Sequence, residues 1–340
     1  MRKIFETSIV AANLSKTLVY SVEYRMLFGL SKMFSLFVEP PKQEKDKGLI
    51  NHLRTKVLKI HQREAENIVN GIYPAEVLIP KSPKEHLKNL PHLLFDSLRV
   101  SRRRKLNLKD DLENSAEVEK APDYFRRNFH FQTDGYFSEK SANLYEHQVE
   151  VLFSGTAAPM RRILIELIKK RLPTDRPLKI LEIGAGVGTA TIDFSKSFNF
   201  DSYVVTDISD AYLNVARKRL GNKFEFFKTP GEDLPFKDGE FDLVFSVYLF
   251  HELPRSVRMK VLSESARVLR AGGILAICDS IQVDDDPKIN SVLENFPKDY
   301  HEPFYKDYTL WDAKAALEEV GLKDVQSDYE LLSKYWTALK

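Results

Sequence analysis

The amino-acid sequence predicts an α/β fold, in which a mostly parallel seven-stranded sheet with an antiparallel last strand follows a mainly helical N-terminal region. Two observations lead to this prediction. From Pro177 onward, short apolar runs typical of strands alternate with longer amphipathic runs typical of helices, which favours a parallel sheet with helices on both faces. The last two runs, residues 324–330 and 332–339, are adjacent in sequence and therefore predict an antiparallel pair.

Length and composition exclude several classes of protein. The chain has 340 residues, enough for one large domain or two ordinary ones. Its 51 Lys and Arg residues nearly balance its 49 Asp and Glu residues, so the net charge of +2 gives no general attraction for nucleic acid or an anionic membrane. The one cysteine, Cys278, excludes an internal disulfide, and no Cys/His cluster has zinc spacing, so we predict no metal. No apolar run reaches the length of a membrane span, and we expect a cytoplasmic protein.

The N-terminal region, residues 1–122, is expected to be mainly helical. A first helix is predicted over residues 8–38, with a break near Gly29, because apolar residues recur at every fourth position. Such a helix favours burial in the protein or in a homodimer, and peripheral membrane contact remains an alternative. Residues 39–48 are rich in charge and proline and predict a linker before a second helix over residues 49–69. No chemical motif occurs in this region, so we expect a lid, an oligomerisation arm or a substrate-binding part.

Residues 123–174 are expected to form an aromatic and helical cap that leads into the core. Six aromatic residues and one histidine lie between Tyr124 and Phe137. Ser141 is predicted to cap a helix, and a second helix is predicted over residues 159–170.

The core is predicted over residues 175–340. Before the antiparallel pair, strands are predicted over residues 179–183, 202–206, 224–228, 241–247 and 273–278. The intervening helices are predicted over residues 190–198, 211–220, 254–269 and 310–320. Gly321 then suits the C-terminal end of the last helix.

The strongest chemical signal is the segment 181–189, where an apolar strand runs into three glycines and then into a helix. Gly184, Gly186 and Gly188 let the backbone turn sharply and leave room for a ligand against the loop. Their G-x-G-x-G spacing differs from the G-x-G-x-x-G of dinucleotide sites. Glu182, just before the loop, also disfavours a pyrophosphate and suits a ligand that carries a cationic amine.

Two acidic segments follow the glycine loop. Asp207 closes the second predicted strand, where a carboxylate can accept both hydroxyls of a ribose. Residues 231–236 place an acidic pair beside apolar residues, which suits an adenine ring and its amino group. Asp207 also suits a helix cap, and residues 231–236 alone are only a turn-rich loop. In combination the segments indicate a cofactor that contains adenosine.

Together these segments resemble class I S-adenosylmethionine-dependent methyltransferases, most closely the ubiquinone/menaquinone C-methyltransferase-like and small-molecule branch. The resemblance also rests on Phe241-Asp-Leu-Val and on Val268-Leu-Arg-Ala-Gly-Gly, and it covers about residues 178–340. It implies a Rossmann-like sheet, S-adenosyl-L-methionine as cofactor, S-adenosyl-L-homocysteine as product and a small-molecule acceptor.

The resemblance also implies a set of cofactor-binding residues. These are Glu182, Gly184, Ala185, Gly186 and Gly188 for the methionine part, Asp207 for the ribose, Asp233 and Leu234 for the adenine, Ser246 and Val247 beneath the cofactor, and Ile208 and Glu232 beside it.

Methyl transfer from a sulfonium is a direct displacement, so the protein mainly aligns the nucleophile and needs a general base only when that nucleophile arrives protonated. We predict His251, His301 and Tyr305 as candidate catalytic residues, because they can exchange protons on the acceptor side; a structural role remains the alternative. The further substrate-side candidates are Tyr136, Tyr248, Asp279, Tyr300 and Glu302.

Two aromatic segments, residues 129–137 and 296–305, are predicted to form lids and favour a small aromatic or hydrophobic acceptor. A nucleic-acid acceptor is disfavoured by the near-neutral charge and by the lack of an Asn/Asp-Pro-Pro-Tyr/Phe motif after the fourth strand. An NAD(P)-dependent oxidoreductase and a non-catalytic cofactor-binding scaffold stay open as alternatives. The sequence does not decide the acceptor, the choice among O-, N- and C-methylation, or the oligomeric state.

Overall fold

The computed structural model describes residues 2–33, 46–79, 83–109, 112, 115–173 and 176–340. The strands are β1 (Leu178–Ile183), β2 (Phe200–Asp207), β3 (Glu225–Lys228), β4 (Phe241–Val247), β5 (Leu269–Ser280), β6 (Lys323–Glu330) and β7 (Ser333–Leu339). The α-helices are α1 (Arg2–Met33), α2 (Lys47–Val69), α3 (Pro83–Leu106), α4 (Ala116–Lys120), α5 (Glu139–Leu152), α6 (Ala157–Lys169), α7 (Thr189–Ser197), α8 (Asp210–Leu220), α9 (Arg255–Val268), α10 (Asn290–Asp299), α11 (Tyr305–Thr309) and α12 (Ala313–Glu319). Shorter 3₁₀ turns occupy Ala75–Leu78, Phe129–Phe131, Phe250–Glu252 and Pro287–Ile289.

The seven strands form one sheet in the order β3-β2-β1-β4-β5-β7-β6. The first five strands pair in parallel, whereas β7 lies antiparallel between β5 and β6. This arrangement confirms the predicted α/β class with its antiparallel last strand. The chain order reverses between β1 and β4, and open α/β sheets bind ligands at such a point, beyond the carboxyl ends of the strands.

Successive residues of the central strands face opposite sides of the sheet, and each side has its own hydrophobic core. In β1, Ile180 packs with α2, α6 and α7, whereas Leu181 packs with α9 and α12. Through Ile60 and Ile68 of α2, the N-terminal region contributes to the same core as the sheet. The sheet is therefore covered by helices on both faces, as the alternating pattern predicts.

Helix α1 packs on α2 through Ile9 of the hydrophobic core and through polar contacts, and not through the middle of its apolar stripe. The side-chain amide of Asn13 donates to Glu64 at 2.5 Å. Leu14, Leu18 and Val22 of the stripe are 39%, 66% and 55% exposed. The prediction that the stripe is buried within the protein is wrong for Leu14, Leu18 and Val22, because the face that packs carries Ile9, Asn13 and Glu23 instead. Its participation in a homodimer or at a membrane surface stays a prediction.

The ends of the first two helices differ from the predicted ones. Helix α1 continues through Gly29 to Met33, so the predicted break is absent, and residues 34–45 of the predicted helix end and linker lie outside the described residues. Helix α2 begins at Lys47, because the carboxylate of Asp46 accepts hydrogen bonds from two backbone N–H groups of its first turn. Within the described ranges, no helix is both long enough and apolar enough to cross a membrane.

The cap helices begin earlier than predicted. Ser138, and not Ser141, caps α5, since its hydroxyl accepts the N–H of Ser141 at 3.1 Å. The Ser141 hydroxyl instead donates to the side chain of Gln132 at 2.8 Å and ties the helix to the aromatic loop. Helix α6 begins at Ala157 and not at Pro159. This earlier start is possible because proline is tolerated in the first turn of a helix.

Candidate active site

A cleft lies at the carboxyl ends of β1, β2 and β4, where the chain order of the sheet reverses. The core contributes the glycine loop after β1, the end of β2 and the turn after β4 to its lining. The cap contributes five aromatic side chains, from Tyr124, Phe125, Phe129, Tyr136 and Tyr145. The cleft therefore combines a polar lining from the sheet with an aromatic lining from the cap.

The glycine loop has the sharp backbone turns that its sequence predicts. The φ angles of Gly184, Gly186 and Gly188 are 67°, 57° and 73°, a region that residues with a Cβ rarely adopt. Gly184, Ala185 and Gly186 line the cleft, whereas Gly188 packs against α8, where a Cβ would lie 2.6 Å from Leu220 Cδ1. The first two glycines thus let a ligand approach the backbone, and the third lets the loop pack closely against α8.

Glu182 lies under the loop, 1% exposed, and also lines the cleft. Its Oε2 accepts hydrogen bonds from the hydroxyls of Thr191 at 2.7 Å and Tyr203 at 2.8 Å. Burial raises the pKa of Glu182 to about 7, against the effect of those two hydrogen bonds. A cationic group bound in the cleft would favour the ionised carboxylate.

Asp207 lines the cleft at the end of β2, next to Ile208, which lines it as well. Its Oδ2 accepts the N–H of Gly186 at 2.8 Å, and its Oδ1 accepts the N–H of Ser209 at 2.8 Å. Burial raises the pKa of Asp207 to about 6, although these backbone donors favour the carboxylate. Each oxygen keeps acceptor capacity for a ligand hydroxyl.

Of the acidic pair after β3, Glu232 faces the cleft and Asp233 does not. The Tyr124 hydroxyl donates to Glu232 Oε1 at 2.7 Å, and Oε2 is buried with no hydrogen-bond partner among the described residues. The side chain of Asp233 is exposed, and Leu234 is buried in the core beside α9. The geometry favours Glu232 for the adenine side of a ligand, and the roles given to Asp233 and Leu234 stay predictions.

At the end of β4, Val247 and Tyr248 line the cleft and Ser246 does not. Ser246 is buried in the strand, and its hydroxyl has no hydrogen-bond partner in the described part of the chain. Tyr248 has a φ of 57°, and its hydroxyl lies 2.7 Å from Ser333 Oγ at the start of β7. The antiparallel strand thus helps to hold a residue of the cleft.

Arg161 of α6 is a cleft residue that the sequence reasoning missed. Among the described residues, it is the one Lys, Arg or His in the lining of the cleft, where every other charged residue is acidic. It is 6% exposed, its Nη2 donates to Glu150 at 3.2 Å, and its Nε is buried with no hydrogen-bond partner in the described residues. The available signal was a pair of adjacent arginines within a largely apolar helix, but the second, Arg162, bonds to Glu64 on α2.

The predicted residues His251 and Asp279 lie beside the cleft and bind each other. His251 Nδ1 is 2.6 Å from Asp279 Oδ1, and Asp279 Oδ2 accepts the N–H of Phe250 at 2.7 Å. Burial opposes the charged imidazolium, but the adjacent Asp279 carboxylate raises the pKa of His251 to about 9. At neutral pH His251 is therefore protonated and suited to donate a proton rather than accept one. Neither residue lines the cleft.

Three further candidates lie outside the lining of the cleft. Tyr305 is buried, with its hydroxyl 2.7 Å from Ser280 Oγ. His301 is buried beside the ring of Phe131, and Tyr300 is half-buried. Their catalytic or substrate-side roles stay predictions.

The structure brings the predicted residue Glu302 together with His130 and Glu252, which the sequence reasoning did not select. His130 Nδ1 is 3.0 Å from Glu302 Oε1, and His130 Nε2 is 3.4 Å from Glu252 Oε1. The Tyr136 hydroxyl donates to Glu252 Oε1 at 2.5 Å, and both of these residues line the cleft. We call His130, Glu252 and Glu302 the His130 cluster. Of its three members, Glu252 lines the cleft, and His130 and Glu302 lie behind it.

Comparisons with known proteins show which families and structures this chain is similar to. The family profile described as "Methyltransferase domain" matches residues 180–273, which include the glycine loop, Asp207 and Glu232. An uncharacterized protein of Methanocaldococcus jannaschii is 37% identical over 168 residues, which span 48% of this chain and 72% of that protein. The ubiquinone/menaquinone biosynthesis C-methyltransferase UbiE of Methylobacterium nodulans is 29% identical over 148 residues, 42% of this chain and 57% of that enzyme. A solved S-adenosylmethionine-dependent methyltransferase of Aquifex aeolicus is 22% identical, with a TM-score of 0.41, over 52% of this chain and 92% of that one.

Proposed function

This chain belongs to the class I S-adenosylmethionine-dependent methyltransferases, and from this premise we propose that it methylates a small acceptor with an aromatic or hydrophobic body. S-adenosylmethionine supplies an electrophilic methyl group, and a neutral thioether leaves. The observation that supports the acceptor class is the aromatic lining that the cap gives to the cleft. Neither the NAD(P)-dependent alternative nor the non-catalytic one draws support from these relatives.

The residues of the cleft fit this cofactor. Asp207 has acceptor capacity for the ribose hydroxyls, and the unpartnered Oε2 of Glu232 can accept the adenine amino group. Glu182 offers a carboxylate to the methionine ammonium, and Arg161 offers its unpartnered Nε–H to the methionine carboxylate. Each charged or polar part of the cofactor thus has a partner of complementary chemistry.

The aromatic side chains of the cap form a continuous set of ring contacts beside the cleft. Phe129 stacks on Tyr136 with ring centroids 5.5 Å apart, and Tyr136 meets Tyr212 of α8 edge to face at 5.2 Å. Tyr145 meets the same Tyr212 at 5.6 Å. A flat or hydrophobic acceptor would displace water from these rings, and water exclusion favours the displacement reaction.

The work of the protein is then alignment of the acceptor. The aromatic lining holds its apolar body, while Tyr136 and Glu252 present a hydroxyl and a carboxylate oxygen to its polar end. Fixing the nucleophile in line with the methyl group contributes most of the rate, because it removes orientational freedom before the reaction.

The acceptor class is tested by release of S-adenosylhomocysteine from S-adenosylmethionine in the presence of candidate acceptors. Alkylated hydroquinones, phenols and long-chain fatty acids form one set, and free amino acids and sugars form the other. We expect only the first set to raise product release above the rate without acceptor. Turnover confined to the second set would reject the proposed acceptor class.

A matched pair of variants tests the role of the aromatic lining. Phe129→Leu, which keeps most of the volume of this buried side chain, is expected to raise KM for the best acceptor by about 3- to 10-fold, from the loss of one aromatic contact, with unchanged S-adenosylhomocysteine binding. Phe95→Leu, at an exposed phenylalanine of α3, is the control and should change neither value. An equal KM in all three proteins would show that the cap rings do not contact the acceptor.

A further inference from the structure

The His130 cluster joins three segments that are distant in the sequence. His130 lies in the cap, Glu252 in the turn after β4, and Glu302 between α10 and α11. One nitrogen or oxygen atom from each residue lies within 4.8 Å of the other two. Imidazole nitrogen and carboxylate oxygen are donors that protein metal sites use.

The carboxylate of Glu302 is buried and accepts no hydrogen bond from a described residue. Its side chain is 0% exposed, and neither oxygen accepts a hydrogen bond from any described residue. Its ion-pair partner among the described residues is His130, whose Nδ1 lies 3.0 Å from Glu302 Oε1. A buried carboxylate is costly unless donors or a cation compensate its charge. Glu302 lacks the hydrogen bonds that a buried structural carboxylate usually has, so a cation in the cluster would compensate it.

Within the described ranges, no Lys or Arg forms an ion pair with Glu252 or Glu302. Among the described residues, the ion pairs of Glu252 and Glu302 are made by His130 alone. Lys and Arg residues elsewhere in the protein pair with other carboxylates, such as Arg258 with Asp307 at 2.7 Å. Two glutamates and one histidine thus share a partly buried site with an excess of donor atoms for a cation.

We propose that His130, Glu252 and Glu302 bind a divalent transition-metal ion, through one imidazole nitrogen and one oxygen of each glutamate; this departs from the prediction of no metal, which considered only Cys and His spacing in the sequence. With bonds of about 2.1 Å, neighbouring ligand atoms lie about 3.0–3.4 Å apart, and the 3.0 Å between His130 Nδ1 and Glu302 Oε1 falls in that range. Glu252 Oε1 faces the opposite nitrogen, Nε2, at 3.4 Å, so an ion on Nδ1 requires the Glu252 side chain to rotate toward it. The mixed nitrogen and oxygen set favours Mn²⁺, Fe²⁺, Co²⁺ or Zn²⁺ over Mg²⁺ and Ca²⁺.

The position of the site gives the ion a role in acceptor binding, a consequence that rests on the proposed function. Glu252 and its hydrogen-bond partner Tyr136 both line the cleft. An ion on Glu252 would present its remaining coordination positions to the polar end of the acceptor. It would bind an acceptor oxygen or nitrogen as a Lewis acid and orient it.

Metal binding to the full chain tests the proposal without an acceptor. Protein dialysed against EDTA is titrated with Zn²⁺, Mn²⁺ or Mg²⁺ by calorimetry, and bound metal is counted by elemental analysis. We expect one Zn²⁺ or Mn²⁺ per chain with Kd below about 10 µM, and at least about tenfold weaker Mg²⁺ binding. His130→Ala and Glu302→Gln should each weaken binding by about 100-fold or more.

Two variants outside the cluster serve as matched controls. His92→Ala in α3 and Glu294→Gln in α10 remove exposed groups of the same kinds and should leave binding unchanged. If His130→Ala does not fold, the nearly isosteric Glu302→Gln decides, with S-adenosylhomocysteine binding as the check of its fold. Absence of a stoichiometric ion in the wild type, or equal binding in cluster and control variants, would overturn the proposed metal site. Neither result would contradict the proposed methyltransferase function.

Discussion

Arg161→Met is expected to weaken binding of S-adenosylhomocysteine through the amino-acid part of the ligand. Among the described residues, Arg161 is the one cation that lines the cleft, and its Nε–H is buried without a protein acceptor. The ligand carboxylate needs a cationic donor of this kind. Methionine keeps the length and apolar stem of the side chain and removes the guanidinium.

The size of the effect follows from the partners of Arg161. A hydrogen bond to a charged group contributes about 1.5–3 kcal/mol, or about 10- to 150-fold in Kd. Arg161 already donates to Glu150 at 3.2 Å, which offsets part of its charge, so we expect the lower part of that range, about 10- to 50-fold. In the variant, Glu150 keeps its ion pair with Lys16 at 3.3 Å and is not left uncompensated.

Calorimetry with two ligands separates a direct contact from a general disturbance of the site. S-adenosylhomocysteine carries the carboxylate, whereas 5′-methylthioadenosine keeps the adenosine and thioether but lacks the amino-acid part. Arg161→Met should weaken only the first ligand, and Arg255→Met, at an exposed arginine of α9, should weaken neither. Equal losses for both ligands would show that Arg161 acts through the fold, and no loss would place the carboxylate elsewhere.

Two other predictions concern the cleft and the cap. Burial raises the pKa of Glu182 from 4.5 to about 7, so its contribution to folding stability is fully present below pH 4.5 and is lost as the pH rises through 7. Between pH 5 and 8, denaturant melts should therefore show the free energy of unfolding of Glu182→Gln rising relative to that of the wild type by up to about 3 kcal/mol. Unfolding free energies that change in parallel with pH in the two proteins would refute this. In the cap, Gly135→Ala should cost about 2–4 kcal/mol in such melts, because φ is 52° and a Cβ would lie 2.6 Å from the Arg127 carbonyl oxygen. Gly272→Ala, with a φ of 74° and no atom near its Cβ, should cost only about 1–2 kcal/mol, and equal costs would show that the close contact is relieved.

The part of the site that the sequence predicts is the part built from one continuous segment. The glycine loop and Asp207 each follow a strand, and parallel strands bring their carboxyl ends to one edge of the sheet. Local spacing therefore places Gly184, Gly186 and Asp207 together. Arg161 was missed because its helix precedes β1, and only tertiary packing turns its guanidinium toward the cleft and that of Arg162 toward α2.

The apolar stripe of α1 shows where a prediction of burial from a sequence pattern fails. A four-residue repeat of apolar residues predicts a buried face, yet Leu18 is 66% exposed while Asn13 and Glu23 are 8% exposed. The polar residues are buried because partners on other helices satisfy them, as Glu64 does for Asn13. Burial is decided by complementary partners, and a single segment carries no information about these.

The contacts between cap and core imply that cofactor binding and acceptor binding depend on the same residues. The Tyr124 hydroxyl donates a hydrogen bond to Glu232. The Ser209 hydroxyl donates to the backbone carbonyl of Tyr136, and the Ser209 N–H donates to Asp207. A cofactor held by Asp207 and Glu232 therefore fixes groups that also hold the cap. Because Tyr136 and Tyr124 belong to the aromatic lining, a bound cofactor would order the acceptor-binding surface as well, so each ligand is expected to strengthen the binding of the other.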